Sequence, residues 1–142
     1  MNKRNFKKIR IFQLTKDKKV KLHFKGPFIA NANCFGIQID EYFDRFTKNE
    51  QKSIIWHEYY HYKIFWRRLF LMLKDFFSKY NAKQLEEFEA DEYAAIKFDK
   101  ESTLSYLRKV KKMQDNEEIP IDLKYHPPIK ERIKRIENLK LK

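Results

Sequence analysis

Hydrophobic and polar residues alternate near the start of the chain. Val20, Leu22 and Phe24 alternate with lysines and a histidine, and this period of two predicts a half-buried strand. The same period predicts a shorter strand at residues 9–11 and another over residues 35–39. The first quarter of the chain is therefore expected to form a small sheet.

The pattern then becomes helical, and residues 37–119 contain neither glycine nor proline. Thr47 and Glu50 have the spacing of a capping box, which predicts that a helix begins there. Two further helices are predicted over about residues 82–97 and 100–114.

A last helix is predicted after Pro127 and Pro128, because proline suits the first turn of a helix. Its apolar residues recur every three or four positions and form one stripe that can face a core. These residues are Ile129, Ile133, Ile136 and Leu139.

Residues 64–77 form the most apolar stretch of the chain, yet they include Arg67, Arg68, Lys74 and Asp75. The stretch is too short and too charged to span a bilayer. Three interpretations stay open: an internal core helix, a dimer surface, or a helix lying at a membrane interface.

The chain has 142 residues, which suggests a single domain, and a net charge of +12. Residues 1–25 hold ten basic residues and one acidic residue, a net charge of +9, so residues 26–142 carry only +3. Such a basic segment suits an acidic partner or an anionic membrane surface. Recognised nucleic-acid motifs are missing, so no specific nucleic-acid partner is expected, although a basic nucleic-acid-binding module stays an alternative.

Cys34 is the only cysteine, which excludes an intrachain disulfide and a cysteine-based zinc cluster. Residues 1–14 lack the apolar run of a secretory signal. We therefore expect a cytoplasmic protein; its oligomeric state is left open.

An H-E-x-x-H segment, His57-Glu58-Tyr59-Tyr60-His61, falls inside the helix predicted to begin near Thr47. Residues four apart lie on one helix face, so both imidazoles can reach one metal ion. Glu58 can then address a water molecule at that ion. Since such a segment also arises by chance, it needs a third ligand to be convincing.

The next predicted helix carries two acidic residues on one face, Glu87 and Asp91. Glu87 completes a His₂Glu set, which leaves one position of a catalytic zinc ion open. Asp91 could accept a hydrogen bond from a ligand imidazole and set its tautomer. Alternatively, this is only a solvated acidic face.

Three segments in order, HEYYH, EFEAD and HPPIKERI, resemble motifs of the gluzincin metallopeptidases that include CAAX prenyl proteases and bacterial heat-shock membrane peptidases. The segment 32–39 also resembles the strand before their active-site helix. Membrane-bound relatives have transmembrane helices between HExxH and the glutamate ligand, whereas only 25 residues separate His61 from Glu87. The resemblance therefore implies a short, soluble version.

The resemblance implies an α+β, zincin-like single domain over residues 1–142, in which a small, mostly antiparallel N-terminal sheet precedes a helical body. The site roles that it implies involve one zinc ion. They are zinc ligation by His57, His61 and Glu87, general-base catalysis by Glu58, support by Asp91, oxyanion stabilisation by His126, and a structural ion pair of Arg132.

The expected function is that of a zinc metalloendopeptidase acting on a protein or peptide substrate. Residues 35–40 are the strand edge along which an extended peptide is expected to pair. A zinc-binding regulatory protein without proteolytic activity is the alternative for the same residues. His126 also has a simpler interpretation, as a loop histidine ahead of a helix that starts with proline.

Overall fold

The computed structural model describes residues 22–23, 29–33, 36–39, 41–64 and 82–141, and all structural statements concern these residues. They form an α+β fold in which a small sheet and a 3-10 helix, Glu41–Arg45, precede four α-helices. The predicted order of sheet first and helices afterwards is confirmed.

The sheet has three short strands, β1 (Leu22–His23), β2 (Ala30–Asn33) and β3 (Gly36–Ile39), in the spatial order β1-β3-β2. β2 and β3 are antiparallel, with Ala32 opposite Ile37, and both of these side chains are buried. β1 runs parallel to β3. One face of the hairpin therefore supplies part of the core.

The described sheet agrees in part with the expected, mostly antiparallel one: β2 and β3 are antiparallel over four residue pairs, whereas β1 and β3 are parallel over two. Two other expectations about the strands were wrong. β3 is the central strand of the described sheet, so residues 36–39 do not offer the free edge that was expected over residues 35–40. The segment 32–39, expected as one strand, is instead parts of the two strands of a hairpin, in which Gly36 has a positive φ of 143° that a residue without Cβ adopts at no steric cost.

β2 escaped the sequence analysis because its residues, Ala-Asn-Ala-Asn, have low intrinsic strand propensity. Pairing with β3 and contact with the helices hold it in place, so tertiary context overrides its propensity.

The first helix, α1 (Lys48–Lys63), begins at the predicted capping box. Thr47 N donates to Glu50 Oε2 at 2.7 Å, and Glu50 N donates to Thr47 Oγ1 at 3.3 Å. Glu50 also accepts a hydrogen bond from the hydroxyl of Ser105, on a later helix, at 2.6 Å. The cap thus links two helices as well as starting one.

The second helix, α2 (Ala82–Lys97), packs along α1. Ala90 and Ala94 are fully buried, and small side chains at these positions allow two helices to approach closely. The third helix, α3 (Lys100–Asp115), begins at the N-cap residue Asp99 and also packs on α1.

The fourth helix, α4 (Ile129–Glu137), follows Pro127 and Pro128 as predicted. Its apolar stripe faces the core: Ile136 is fully buried, and Ile129 and Ile133 pack against it while partly exposed. The helix ends two residues before Leu139, which still packs on the core.

The predicted strand at residues 9–11 and nearly all of the apolar stretch 64–77 lie outside the described residues. Within the part that is described, no helix combines the length and the apolar character needed to cross a bilayer.

We predict that Glu50→Gln lowers the free energy of unfolding by about 1–2 kcal/mol at pH 7, because the carboxylate accepts hydrogen bonds from both Thr47 and Ser105. Burial alone raises the pKa of Glu50, but the bonds from Ser105 and Thr47 outweigh it and lower the pKa below 4.5. The carboxylate therefore stabilises the folded protein above that pH, and the contribution disappears as the pH falls through the lowered pKa.

Denaturant melts of wild type and variant between pH 7 and pH 3.5 measure this effect. The difference between the two proteins should shrink below about pH 4.5. Glu101→Gln, an exposed change in the first turn of α3, is the control and should stay within about 0.5 kcal/mol of wild type. A difference independent of pH would contradict the assigned role of the charge.

Candidate metal centre

The contact between α1 and α2 brings together the three residues that the sequence analysis proposed as metal ligands. His57 and His61 lie one helical turn apart on the buried face of α1, and Glu87 faces them from α2. His57 Nε2 and His61 Nε2 are 3.1 Å apart. Glu87 places Oε1 3.1 Å from His61 Nε2 and Oε2 3.5 Å from His57 Nε2. This buried group could hold a metal ion.

These separations fit the dimensions of a tetrahedral site. Zinc ligands at 2.0–2.1 Å in tetrahedral geometry lie about 3.3–3.4 Å from one another. The shortest observed separations are near that value: 3.1 Å between the two imidazole nitrogens, 3.1 Å from Glu87 Oε1 to His61 and 3.5 Å from Glu87 Oε2 to His57, so a different oxygen of Glu87 faces each histidine. Two imidazoles and one carboxylate also leave the fourth position of such an ion free. The residues present therefore fit a metal ion of this size and preference.

The other nitrogen of each histidine is held by a carboxylate. His57 Nδ1 lies 2.8 Å from Asp91 Oδ1, and His61 Nδ1 lies 2.5 Å from Glu86 Oε1. A carboxylate at Nδ1 keeps the proton there, which directs the lone pair of Nε2 towards the centre of the group. Asp91 therefore occupies the supporting position that the sequence analysis expected.

Glu86 is a site residue that the sequence analysis missed. It precedes Glu87 directly, yet both side chains are buried against α1 because the two histidines occupy successive turns. A signal was present in the sequence: two histidine ligands need two supporting acceptors, and only Asp91 had been assigned.

Arg132, on α4, neutralises the carboxylates of α2. Its Nε and an Nη donate to the two oxygens of Asp91 at 2.7 and 2.8 Å, a bidentate pair. Its other Nη lies 3.2 Å from Glu87 Oε2. The ion pair implied by the family resemblance is thus present, and it also fixes the orientation of Glu87.

Tyr106, on α3, is a second residue that the sequence analysis missed. Its hydroxyl donates to Asp91 Oδ1 at 2.5 Å and lies 3.3 Å from His57 Nδ1. Its position in the sequence shows only an aromatic residue on the buried face of a helix, so its polar contact depends on how α3 packs.

The electrostatics of the group follow from these contacts. Burial lowers the pKa of His61, but the charge of Glu87 and the hydrogen bonds to Glu86 and Glu87 outweigh it and raise the pKa to about 10. Burial likewise opposes the charged form of His57, and Asp91 raises its pKa above the usual value. A metal ion would therefore compete with protons for these imidazoles, and its binding should release protons.

The carboxylates of Glu87 and Asp91 are held in their charged forms. Burial favours the neutral form of Glu87, but His61 and Arg132 keep its pKa well below the usual range. Burial acts in the same direction on Asp91, and the ion pair with Arg132 keeps its pKa far below the ordinary value. Both groups are thus anionic at neutral pH.

The centre gathers several buried ionisable groups. Four carboxylates surround it, together with the guanidinium of Arg132 and the two ligand imidazoles, within the described part of the chain. Buried charges are costly unless they are paired or coordinate a metal. A divalent cation that takes the place of the imidazole protons would therefore keep these carboxylates paired. The four carboxylates belong to Glu58, Glu86, Glu87 and Asp91.

Two cavities meet at the centre, one of about 170 Å³ and one of about 290 Å³. Glu58 and Glu87 line both of them. His126 lines both as well; it is half exposed, and its Nδ1 lies 3.0 Å from Glu87 Oε2. The ligand group is therefore accessible from a cleft, with Glu58 and His126 on its walls.

No protein-family model matches the chain, and searches of curated proteins and of solved structures found no match either. The support for a metal centre is therefore the geometry of His57, His61 and Glu87 together with the three sequence motifs.

We predict that Glu86→Gln weakens zinc(II) or cobalt(II) binding about 10- to 100-fold, because the amide is a poorer acceptor for His61 Nδ1 than the carboxylate. Glu89→Gln is the matched control, because it removes the same charge from the same helix. Glu89 accepts a hydrogen bond from the hydroxyl of Tyr60 and does not contact a ligand histidine in this way. Competition with a chromophoric chelator measures both affinities. Equal affinities of the two variants would contradict the role of Glu86.

We predict that Arg132→Ala lowers the free energy of unfolding by about 3–5 kcal/mol, since it leaves two buried carboxylates without their cation. Arg135→Ala, three residues further along α4, breaks an exposed pair with Glu92 and should cost no more than about 1 kcal/mol. Urea melts of both variants test the comparison. Similar losses in the two would show that Arg132 does not stabilise the centre.

Proposed function

We propose that the protein is a zinc-dependent endopeptidase of zincin-like architecture. The observation that carries this proposal is the convergence of His57, His61 and Glu87 at the meeting point of two cavities that Glu58 also lines. A metal site that serves only to stabilise a fold is usually closed by four protein ligands, whereas an accessible three-ligand site suits catalysis.

Two features support the zincin-like architecture. The H-E-x-x-H segment lies in a helix that packs against a small sheet, and the third ligand comes from the next described helix of the chain. The order of elements that the motif resemblance implies is therefore compatible with the observed fold.

A zinc ion bound to this group would supply Lewis acidity, which lowers the pKa of water to about 7 and polarises a carbonyl. Glu58 is suited to the proton transfers. Its carboxylate takes a proton from the attacking water and later gives it to the amine that leaves when the peptide bond breaks.

His126 is suited to the developing negative charge on the carbonyl oxygen. Its imidazole is 47% exposed and lies on the wall shared by both cavities, so a ring N–H can reach a bound peptide. The contact between His126 Nδ1 and Glu87 Oε2 holds the ring beside the ligand group.

A peptide would pair along the edge strand β2, and not along residues 35–40, where the sequence pattern predicted the free edge. β2 is an edge strand of the described sheet, and Ala30 lines both cavities. An extended substrate could add to this edge through main-chain hydrogen bonds and pass over Glu58.

We predict that Glu58→Gln retains one zinc ion per chain and loses about 10²–10⁴-fold in peptide cleavage, because the amide cannot accept the proton. The assay incubates zinc-loaded protein with a mixed peptide library and identifies new termini by mass spectrometry. Wild type treated with a chelator and then reloaded with zinc is the control for the dependence of cleavage on the metal.

Three results would count against the proposal. Equal cleavage by wild type and Glu58→Gln would assign the activity to a contaminant. Failure of the protein to bind zinc would remove the centre. Full zinc occupancy with no cleavage by wild type would favour the alternative, a zinc-binding regulatory protein.

A further inference from the structure

Lys83, in the first turn of α2, stands at the wall of the larger cavity. Lys83 and Tyr125 both line this cavity, and the ammonium of Lys83 lies 3.9 Å from the centroid of the Tyr125 ring. A cation at this distance from an aromatic face is attracted by the ring. The side chain of Lys83 is exposed, yet this contact holds it beside the cleft.

The position of Tyr125 is fixed by the segment that carries it. Gln84 Nε2 donates to Leu123 O at 2.7 Å, which ties this segment to the same turn of α2 as Lys83. The ammonium of Lys124 lies 5.1 Å from the centroid of the Tyr125 ring, so two cations share one ring. The larger cavity therefore has positive charge on a defined support at its wall.

Lys83 has no ion-pair partner among the residues that the structure describes. An ammonium group has three N–H donors and no acceptor. The ring of Tyr125 orients this group without neutralising it, since an aromatic face carries no net charge. The donors of Lys83 are therefore available to an anionic group in the cleft.

The buried carboxylates that line the larger cavity are already compensated. Glu86 contacts His61, and Glu87 contacts both His61 and Arg132. Glu58 lines the same cavity, and a divalent ion on the ligand group would offset its charge. An incoming carboxylate consequently meets Lys83 as a cation that still lacks its counter-ion.

Asp122 is the acidic side chain of this cavity that favours the opposite preference. It is exposed, and it would attract a basic group. Its Oδ1, however, accepts the backbone N–H of Lys124 at 3.1 Å, which directs this oxygen towards its own loop. The ammonium of Lys83 keeps all of its donors, so we expect Lys83 to decide the preference.

We propose that Lys83 and Tyr125 form a subsite for a carboxylate of the peptide substrate. This inference rests on the proposed peptidase function and adds the chemistry of the substrate. Lys83 precedes Glu87 by one helical turn, about 6 Å along α2, and an extended peptide advances about 3.3 Å per residue. The carboxylate therefore belongs within about two residues of the cleaved bond. An exposed ion pair should favour a glutamate peptide over its glutamine counterpart about 2- to 5-fold in kcat/KM.

The first experiment profiles cleavage of a peptide library whose C-termini are amidated, so that carboxylates come only from side chains. Wild type should enrich glutamate and aspartate at one position near the cleaved bond. Lys83→Gln should abolish this enrichment, and Lys83→Glu should replace it with lysine and arginine. Lys97→Glu, the same charge reversal in the last turn of α2, is the matched control and should leave the profile unchanged.

A second library, with free C-termini and without aspartate or glutamate, tests the other source of a carboxylate. Cleavage at a fixed distance from the C-terminus, lost in Lys83→Gln, would identify the chain end as the group that the subsite binds. Enrichment in the amidated library alone would identify the side chain.

Binding is measured separately from catalysis. Both libraries are passed over immobilised, zinc-loaded Glu58→Gln, and the retained peptides are identified by mass spectrometry. Peptides with a carboxylate should be retained about 2- to 5-fold better than their amide counterparts. This difference should shrink at about 0.5 M salt, because salt screens an exposed pair, and a second change, Lys83→Glu, should abolish it.

The outcomes separate the two proposals. Cleavage without a carboxylate preference in either library, or a preference unaffected by Lys83→Glu, would overturn the subsite and leave the peptidase function standing. A preference of wild type for basic side chains, as Asp122 would produce, would overturn it as well. Carboxylate-dependent retention on Glu58→Gln without any cleavage by wild type would overturn the peptidase function and leave a binding site for peptide carboxylates.

Discussion

The carboxylate of Asp91 is the point at which the four described α-helices meet. It lies on α2 and contacts His57 on α1, Tyr106 on α3 and Arg132 on α4. Only 1% of this residue is exposed, so its charge cannot be left to solvent. A buried carboxylate is stable only when its partners are all in place. The helices are therefore held in one arrangement by a single polar group.

This arrangement makes the fold and the candidate site depend on each other. Arg132 secures Asp91 and also contacts Glu87, while Asp91 orients His57. The same ionic contacts that join the helices therefore orient two of the three ligand residues. Preorganisation of this kind lets a metal ion enter without much rearrangement of its ligands, and it keeps the ligand group open towards the cleft.

Sequence patterns were reliable where the determinant is local. Thr47 and Glu50 satisfy each other's backbone groups within one turn, so the start of α1 could be read directly. His57 and His61 share a face because of the helical period alone. β2 shows the opposite case: its alanines and asparagines carry no strand signal, and its pairing with β3 turned the expected edge strand into a central one.

The sequence by itself determined the helices, the face that carries both histidines, and the candidate ligands Glu87 and supporting Asp91, because spacing along one helix is a local property. Only the tertiary structure decided which groups complete the centre. Glu86 reaches His61 and Tyr106 reaches Asp91 because of the way α2 and α3 pack on α1. The smaller of the two cavities at the centre likewise exists only between elements distant in sequence, where packing leaves a space that no local pattern encodes.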